Sequence, residues 1–384
     1  MGTILSIISI AVALLIFTFY IDGDIGVVII AFMVFAPLVS GFFAWYGRKR
    51  TVVTFDCDGF VKKGSKLKVN VNVEKSGFFP LGIIEIRLAA SEVFGNIDKL
   101  YKLSIIKGNS KSFSVEVDAN TGGNGSIFVS SVRSCGFLGF AGFNIKSQLP
   151  PPKSVGVIPE IPDAKTSSKL FRSIADSVMT SDDEEKNDSA QLFSATTTPG
   201  YEHREYEAGD PLKRVNWKLS AKKNQLMIRL DEAASAVQPV IALDLFRAKG
   251  VKAEDAILRE ERIICSAFGL LSALIKNGIA STFVYYGASG EVVSESVDNP
   301  DYPSQLLLKV LAASVECDRR IKIDAVSVCS CVIASTDCTS SLNSVISAFE
   351  DKEAVSLIGT SARDKNETDC KMWYLDGDNN FKLV

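Results

Sequence analysis

"PVIALDLFRA", residues 239–248, decides the architecture of the C-terminal part of the chain. Val240 to Leu243 run without a polar interruption into Asp244, and a strand apolar at consecutive positions is one covered on both faces. Further strands of this kind follow: "IASTFVYYG" from Ile279, "AVSVCSCVIAS" from Ala325 and "AVSLIGTS" from Ala354. Between them lie helical patterns, from about Ala253 to Lys276 with a stop at Gly278, in "PSQLLLKVLAAS", and near Ser341 to Phe349. Apolar strands alternating with helices predict a doubly wound parallel sheet over residues 238–384. Ligands of such sheets gather at the carboxyl ends of the strands. No Gly-rich phosphate loop follows any of these strands, so nucleotide binding has no support.

Upstream, residues 51–162 read differently. "KLKVNVNVEKSG", "LGIIEIRLAA", "LYKLSIIKG", "KSFSVEVDA" and "GSIFVSSVRS" alternate apolar and polar residues between Gly, Asn, Ser and Asp turns. That pattern predicts an antiparallel, immunoglobulin-like β-sandwich without the Cys and Trp core of antibody domains. "SVGVIPEIP", after the proline spacer "QLPPPK", reads as an edge strand because of its own prolines. Nothing in this region groups polar residues for chemistry.

The first 50 residues contain two uncharged apolar runs, Thr3–Ile21 and Ile25–Trp45, each about the 20 residues needed to cross a bilayer. Asp22-Gly23-Asp24 between them reads as a turn, so the expectation is a transmembrane helical hairpin. "GRKR" at Gly47–Arg50 places the bulk of the chain in the cytoplasm, with Trp45 and Tyr46 at the interface. A cleaved signal peptide would need a basic start and a small-residue cleavage site, and neither is present.

Composition narrows the function. The 384 residues carry 42 Lys and Arg against 45 Asp and Glu, a net charge of −3, which excludes the global basic field of a nucleic-acid binder. Eight cysteines are scattered through apolar runs, with no CxxC, and the single histidine cannot complete a zinc site with them. Reduced, buried thiols are expected.

Residues 163–237 hold an acidic stretch, "SDDEEKNDSA", that lacks the ligand order of a calcium loop, and then "REYEAGDPLKRVNWKLSAKKNQLMIR", Arg204–Arg229. "EHRE" alternates as a strand would. Asp210-Pro211 is a helix start, because the carboxylate caps free N–H groups and proline at the first helical position needs no partner. A helix from there to about Lys222 buries Leu212, Val215 and Leu219 and presents Lys213, Arg214, Lys218, Lys222 and Lys223. Three readings of this stretch are possible, in falling order of preference: structural ion pairing and capping, partner docking, and acid/base catalysis by Glu205 and Asp210 with Arg214 holding an anion. His203 has no nucleophile or acid spaced to form a triad.

Arg204, Tyr206, Gly209, Asp210, Arg214, Asn216, Trp217, Ser220, Ala221, Lys222 and Leu226 stand where the bacterial domain of unknown function 58 family has its hallmark, and the chain resembles that family along most of its length. The resemblance implies two N-terminal spans in the plasma membrane, a β-rich segment and a von Willebrand factor A-like domain. It also implies genes encoded beside MoxR-type AAA+ ATPases and transglutaminase-like membrane proteins, and no established reaction. A von Willebrand A-like domain holds a cation on Asp-x-Ser-x-Ser, but here Asp244-Leu245-Phe246-Arg247-Ala248 puts Phe246 and Ala248 at the serine positions. Arg247 adds a positive charge beside the cation's place, so at most a degenerate site of Asp244, Thr336 and Asp337 is left. The expected function is a non-enzymatic scaffold that docks an AAA+ ATPase and membrane proteins in envelope or complex assembly, without a cofactor; the alternative is a hydrolase or transferase using Glu205 and Asp210.

Overall fold

The computed structural model describes residues 9–13, 15–16, 18–19, 23–106, 108–139, 142–145, 147, 149–178, 197–205, 217–223, 225–233, 238–247, 251–313, 319–323, 329–349, 351–364 and 367–384. They fall into two compact units, Met1–Pro159 and Glu160–Val384.

In the first unit, α1 (Gly23–Arg50) is a single helix of 28 residues. It is apolar on all sides, with Phe32, Phe35, Leu38 and Val39 all exposed, as a helix solvated by lipid would be. It is long and apolar enough to cross a membrane. Asp24 lies in its first turn and Arg48, Lys49 and Arg50 in its last, which matches charge to the helix dipole at both ends. Residues 9–13, 15–16 and 18–19 are also helical. Gly26 faces Thr18 so closely that a Cβ there would stand 2.2 Å from Thr18 Oγ1. The helix opens at Gly23, inside the turn expected from the sequence, and Asp22 lies outside the described residues.

The helix runs without a linker into β1 (Thr51–Cys57), followed by β2 (Phe60–Lys62), β3 (Lys66–Lys75), β4 (Leu81–Ala90), β5 (Asp98–Ile105), β6 (Ser110–Asp118), β7 (Gly123–Cys135), β8 (Gly142–Asn144) and β9 (Lys153–Ile158). Two sheets result, ordered β1-β3-β6 and β2-β9-β7-β4-β5, with β8 paired to β7. Alternation decides what goes inside. Leu67, Val69, Val71 and Val73 of β3 and Ile84, Ile86 and Leu88 of β4 are buried, while the residues between them face outward or are partly covered. Gly125 is required by close approach, since a Cβ there would meet the buried Phe94 ring at 2.6 Å. One expectation is corrected. β9 is not an edge strand, because it lies between β2 and β7. Its prolines flank the strand instead of interrupting it, so every residue from Lys153 to Ile158 keeps an N–H for pairing.

In the second unit a helix over residues 169–178 comes before an antiparallel pair, β10 (Thr197–Glu205) and β11 (Met227–Ala233), bracketing α2 (Trp217–Lys223). Then come β12 (Val240–Asp244), α3 (Ala253–Lys276), β13 (Ser281–Tyr286), β14 (Val292–Val297), α4 (Tyr302–Ala313), β15 (Cys331–Ser335), α5 (Asn343–Ile346), β16 (Val355–Ile358), β17 (Lys371–Leu375) and β18 (Phe381–Leu383). The sheet order is β14-β13-β12-β15-β16-β17-β18. β13, β12, β15, β16 and β17 are parallel, as their unbroken apolar runs require, and every residue of β12 and β15 is buried. The sheet is nevertheless mixed. β14 and β18 are antiparallel edges, and β14 alternates exposed and half-covered residues until the buried Val297. α3 buries one face, with Phe268 against Phe283 at 4.9 Å between ring centroids. The helix expected over residues 341–349 shrinks to a 3-10 turn, Ser340–Leu342, and the one-turn α5. Ser340, Ser341, Asn343 and Ser344 explain this, since their side chains compete for backbone hydrogen bonds.

Candidate functional site

The hallmark segment is held by β10 and β11. In register, His203 faces Arg229, Arg204 faces Ile228 and Glu205 faces Met227. Ser220 of α2 is buried, and its Oγ accepts a hydrogen bond of 2.8 Å from the Met227 N–H, which ties the helix to the start of β11. Lys218 and Lys222 are exposed on the same helix. Tyr206, Gly209, Asp210, Arg214 and Asn216 lie outside the described residues, as does the expected helix start at Asp210-Pro211. The side chains of Arg204, Glu205 and Trp217 lie outside them too.

A second constellation stands at the carboxyl edge of the parallel sheet. β12 and β15 are neighbours there, with Asp244 and Ser335 paired in register, because the chain goes from β12 to β13 on one side and later crosses to β15 on the other. This is the topological switch point. Asp244 has no exposed surface, and Arg320 reaches it from the segment before β15, with its side chain 9% exposed. Nη1 of Arg320 donates to Asp244 Oδ2 at 2.7 Å and to Ser335 Oγ at 3.0 Å. Nη2 donates to Asp337 Oδ2 at 3.0 Å, to Thr339 Oγ1 and to Ser341 Oγ, and Nε donates to Ser341 Oγ at 3.1 Å. The guanidinium stands over the Phe246 ring, Cζ 4.0 Å from its centroid. Asp244 is completed by the Ile321 N–H, 3.2 Å from Oδ1, and the Ser335 hydroxyl, 2.8 Å from Oδ2.

Every nitrogen of the guanidinium is therefore engaged, and both carboxylates point at one cation. That cation is an arginine. The residues do not fit a divalent metal here, because the planar fork already fills the space between Asp244 and Asp337. Thr336 is not aimed there either: its hydroxyl donates to the Phe246 carbonyl. Arg247 lines a cleft with Thr336 and Asp337, and its charge is paired with Glu260 of α3, Nη2 to Oε2 at 3.1 Å. Arg320, Ser335, Thr339 and Ser341 were passed over because nothing local in "DRRIKID" marks which basic residue turns inward.

The surroundings do not add reactivity. Burial pushes the Cys338 thiol up to about 12, with Asp364 and Asp337 adding to it, so no thiolate nucleophile stands beside the cluster near neutral pH. Burial does the same to Cys331, also to about 12. Cys57, Cys135, Cys331 and Cys338 form no disulfide. The cleft next to Phe246, Glu260 and Thr336 holds about 40 Å³, far below the roughly 300–1,000 Å³ of ordinary ligand pockets.

Helix, sandwich and sheet thus define a class: a chain with an apolar N-terminal helix, a β-sandwich that is antiparallel except where β2 pairs with β9, and an α/β unit closed at its switch point by an internal arginine. Residues 202–293, from the hallmark strand into β14, match the family described as Protein of unknown function DUF58. No curated protein matches the chain. Among solved structures, the CARDB domain of a Pyrococcus furiosus protein is similar at 14% identity and a TM-score of 0.24, over 30% of this chain and 97% of that one. A cohesin module from a Clostridium perfringens family 33 glycoside hydrolase is similar at 13% and 0.23, over 29% and 99%. A part of Escherichia coli alpha-2-macroglobulin is similar at 16% and 0.25, over 30% and 18%.

Proposed function

We propose that this chain is a membrane-anchored scaffold without catalytic activity. Its α/β unit is a von Willebrand A-like domain whose metal-dependent adhesion edge has been replaced by a fixed internal cation. The observation that carries the reading is the Arg320 cluster. The edge where doubly wound sheets bind ligands is occupied by an ion network in which the Arg320 guanidinium engages both Asp244 and Asp337, so an internal cation takes the place of a metal or substrate there. Anchoring follows from α1 as a membrane span, preceded by a second span, with Arg48, Lys49 and Arg50 retained on the cytoplasmic side of a plasma membrane.

The docking surface we assign is the hallmark helix. Lys218 and Lys222 stay exposed while Ser220 fixes α2 to β11, so the cations are presented by a held element. The partner that the family resemblance implies is a MoxR-type AAA+ ATPase, with transglutaminase-like membrane proteins as further neighbours. The test is capture of a purified MoxR-type ATPase by the full-length protein in vesicles. Capture by the wild type, with at least a several-fold loss in Lys218→Glu/Lys222→Glu, is the expected result. Equal capture by both removes the docking surface. A turnover abolished by Glu205→Gln or Asp210→Asn with unchanged melting would instead establish the enzyme reading.

A further inference from the structure

Two turns of the sandwich carry exposed apolar side chains beside α1. Ser76–Pro80, between β3 and β4, presents Phe78 and Phe79, and Gly136–Gly139, between β7 and β8, presents Phe137 and Leu138. Phe78 is 93% exposed and Leu138 46%. Singly exposed apolar residues need no explanation, but these four are joined to each other and to the helix. The Phe43 ring meets Phe137 at 5.2 Å and Phe79 at 6.1 Å, Tyr46 meets Phe79 at 5.4 Å, and Phe78 meets Phe79 at 6.1 Å.

The two turns are also held at fixed heights along the helix. The Leu138 N–H donates to Ser40 Oγ at 3.1 Å, and a Cβ on Gly136 would stand 2.2 Å from the Ser40 carbonyl oxygen. Gly77 packs on Tyr46 and Arg50, where an added Cβ would meet the Tyr46 hydroxyl at 2.2 Å. At a rise of about 1.5 Å per residue, Ser40 lies roughly 8 Å beyond Trp45 and about 15 Å beyond Arg50, toward the apolar middle of the helix. Aromatic residues of a span sit at the membrane–water boundary. With Trp45 and Tyr46 there, the Gly136–Gly139 turn reaches about as far into the membrane as interfacial apolar groups are buried, roughly 5–10 Å.

We infer that these two turns form a collar that enters the lipid interface around the base of α1 and seats the sandwich on the membrane; this rests on reading α1 as a membrane span. The occupant is lipid because the patch continues, ring by ring, the surface of an apolar helix that lipid would cover. The collar meets the rules for that medium. The Leu138 N–H is satisfied by Ser40 and the Gly139 N–H by the Gly136 carbonyl at 3.0 Å, so the turn does not bring those donors unpaired into hydrocarbon. Just outside it, Lys49 lies over the Trp45 ring, Arg50 over the Tyr46 ring, and Lys75 Nζ beside the Phe79 carbonyl. These cations stand at headgroup height, where anionic lipid phosphates are found.

The test uses the full-length chain in vesicles with brominated lipids, with Trp217 and Trp373 replaced by phenylalanine so that Trp45 is the one emitter. Three derivatives then replace Trp45 by phenylalanine and carry the emitter elsewhere, through Leu138→Trp, Phe78→Trp or Lys62→Trp. Position 62 is the control, because β3 runs ten residues, about 33 Å, from that end of the sandwich to the collar. The expected order of emission lost to acyl-chain bromine is position 138 at least equal to Trp45, then position 78, with no loss at position 62. Quenching of Trp45 with positions 138 and 78 as silent as the control overturns the collar, because protein or water then covers the patch. No quenching of Trp45 itself overturns the membrane reading as well.

Discussion

In the sandwich, Lys66 meets Glu116 across β3 and β6 with side chains 62% and 52% exposed; in the α/β unit, Arg320 meets Asp244 with 9% and 0% exposed. Both are ion pairs within hydrogen-bond distance, at 3.2 and 2.7 Å. Their physical standing differs because water screens the first and not the second. The sandwich specifies itself through alternating apolar residues, and its charges decorate a surface already determined. At the switch point of the sheet the charges are the interior, and each depends on the others remaining.

The largest effect should come from breaking that dependence. Arg320→Met keeps the length of the side chain and removes the cation, leaving Asp244 buried and unpaired at a cost of about 3–5 kcal/mol. Because the chain has two units, a single melting curve does not isolate the change, and amide hydrogen exchange along β12 and β15 is the appropriate measurement. Arg320→Lys should recover only part of the loss, since an ammonium cannot reproduce a fork that reaches Asp244, Asp337 and Ser341 together. Replacing Asp244 by alanine as well as Arg320 by methionine should cost less than the sum of the two single changes. If Arg320→Met leaves exchange in β12 and β15 unchanged, the contrast with the sandwich fails.

How much of this could be read in the sequence follows the same division. Local patterns were enough where structure is locally determined: α3 begins at Ala253 and ends at Lys276 as its apolar spacing and Gly278 demand, and the strands of the sandwich follow their alternation. Asp244 was visible as a polar residue ending an apolar strand. Its partner was not, because Arg320 lies 76 residues away and the two meet only through the crossover that brings β15 beside β12. β14 was missed for a related reason. An edge strand with one covered face shows a weak alternation of Val, Ser and Glu that a loop shows equally well. The collar was half visible: the aromatics Trp45 and Tyr46 stood out, but Phe78 and Leu138 join them only after the β-turns fold back along the helix.

An effect of intermediate size lies at the β13–β14 edge, where burial is partial. Tyr285 donates to Glu295 Oε1 at 3.1 Å, Lys309 donates to Oε2 at 2.9 Å, and Tyr302 also donates to Oε2. Burial, followed by the hydrogen bond to Glu295, raises the Tyr285 hydroxyl to about 12. An unfolded tyrosine titrates near 10, so the contribution is complete below about pH 10 and disappears as the pH rises through about 12. Burial also pushes the Glu295 carboxyl up, but hydrogen bonds from Lys309, Tyr302 and Tyr285 outweigh it and hold the group below the ordinary glutamate value. Its contribution is therefore present above about pH 4 and is lost on further acidification. Thermal unfolding of the α/β unit, followed by the emission of its buried Trp373 with Trp45 and Trp217 replaced by phenylalanine and recorded against pH, should show stability declining at both ends. Tyr285→Phe should flatten the alkaline limb and, because one of the three hydrogen bonds to Glu295 is lost, also reduce the acid limb; an unchanged alkaline limb would mean that another group carries it.

The smallest effect should come from Lys66→Ala. Lys66 and Glu116 are diagonal neighbours across β3 and β6, in register with Asp118 and Lys68 respectively, and both side chains are more than half exposed. Such a pair contributes about 0–1 kcal/mol, which salt reduces further. The neighbouring Leu67 is 1% exposed and remains in place, so the packing that determines the strand is untouched. Exchange of the β3 amides should therefore shift by less than about 1 kcal/mol, and the shift should vanish at high ionic strength. A loss here as large as that for Arg320→Met would mean that exposure does not separate the two pairs, and the sandwich would then have to be described as depending on its charges in the way the α/β unit does.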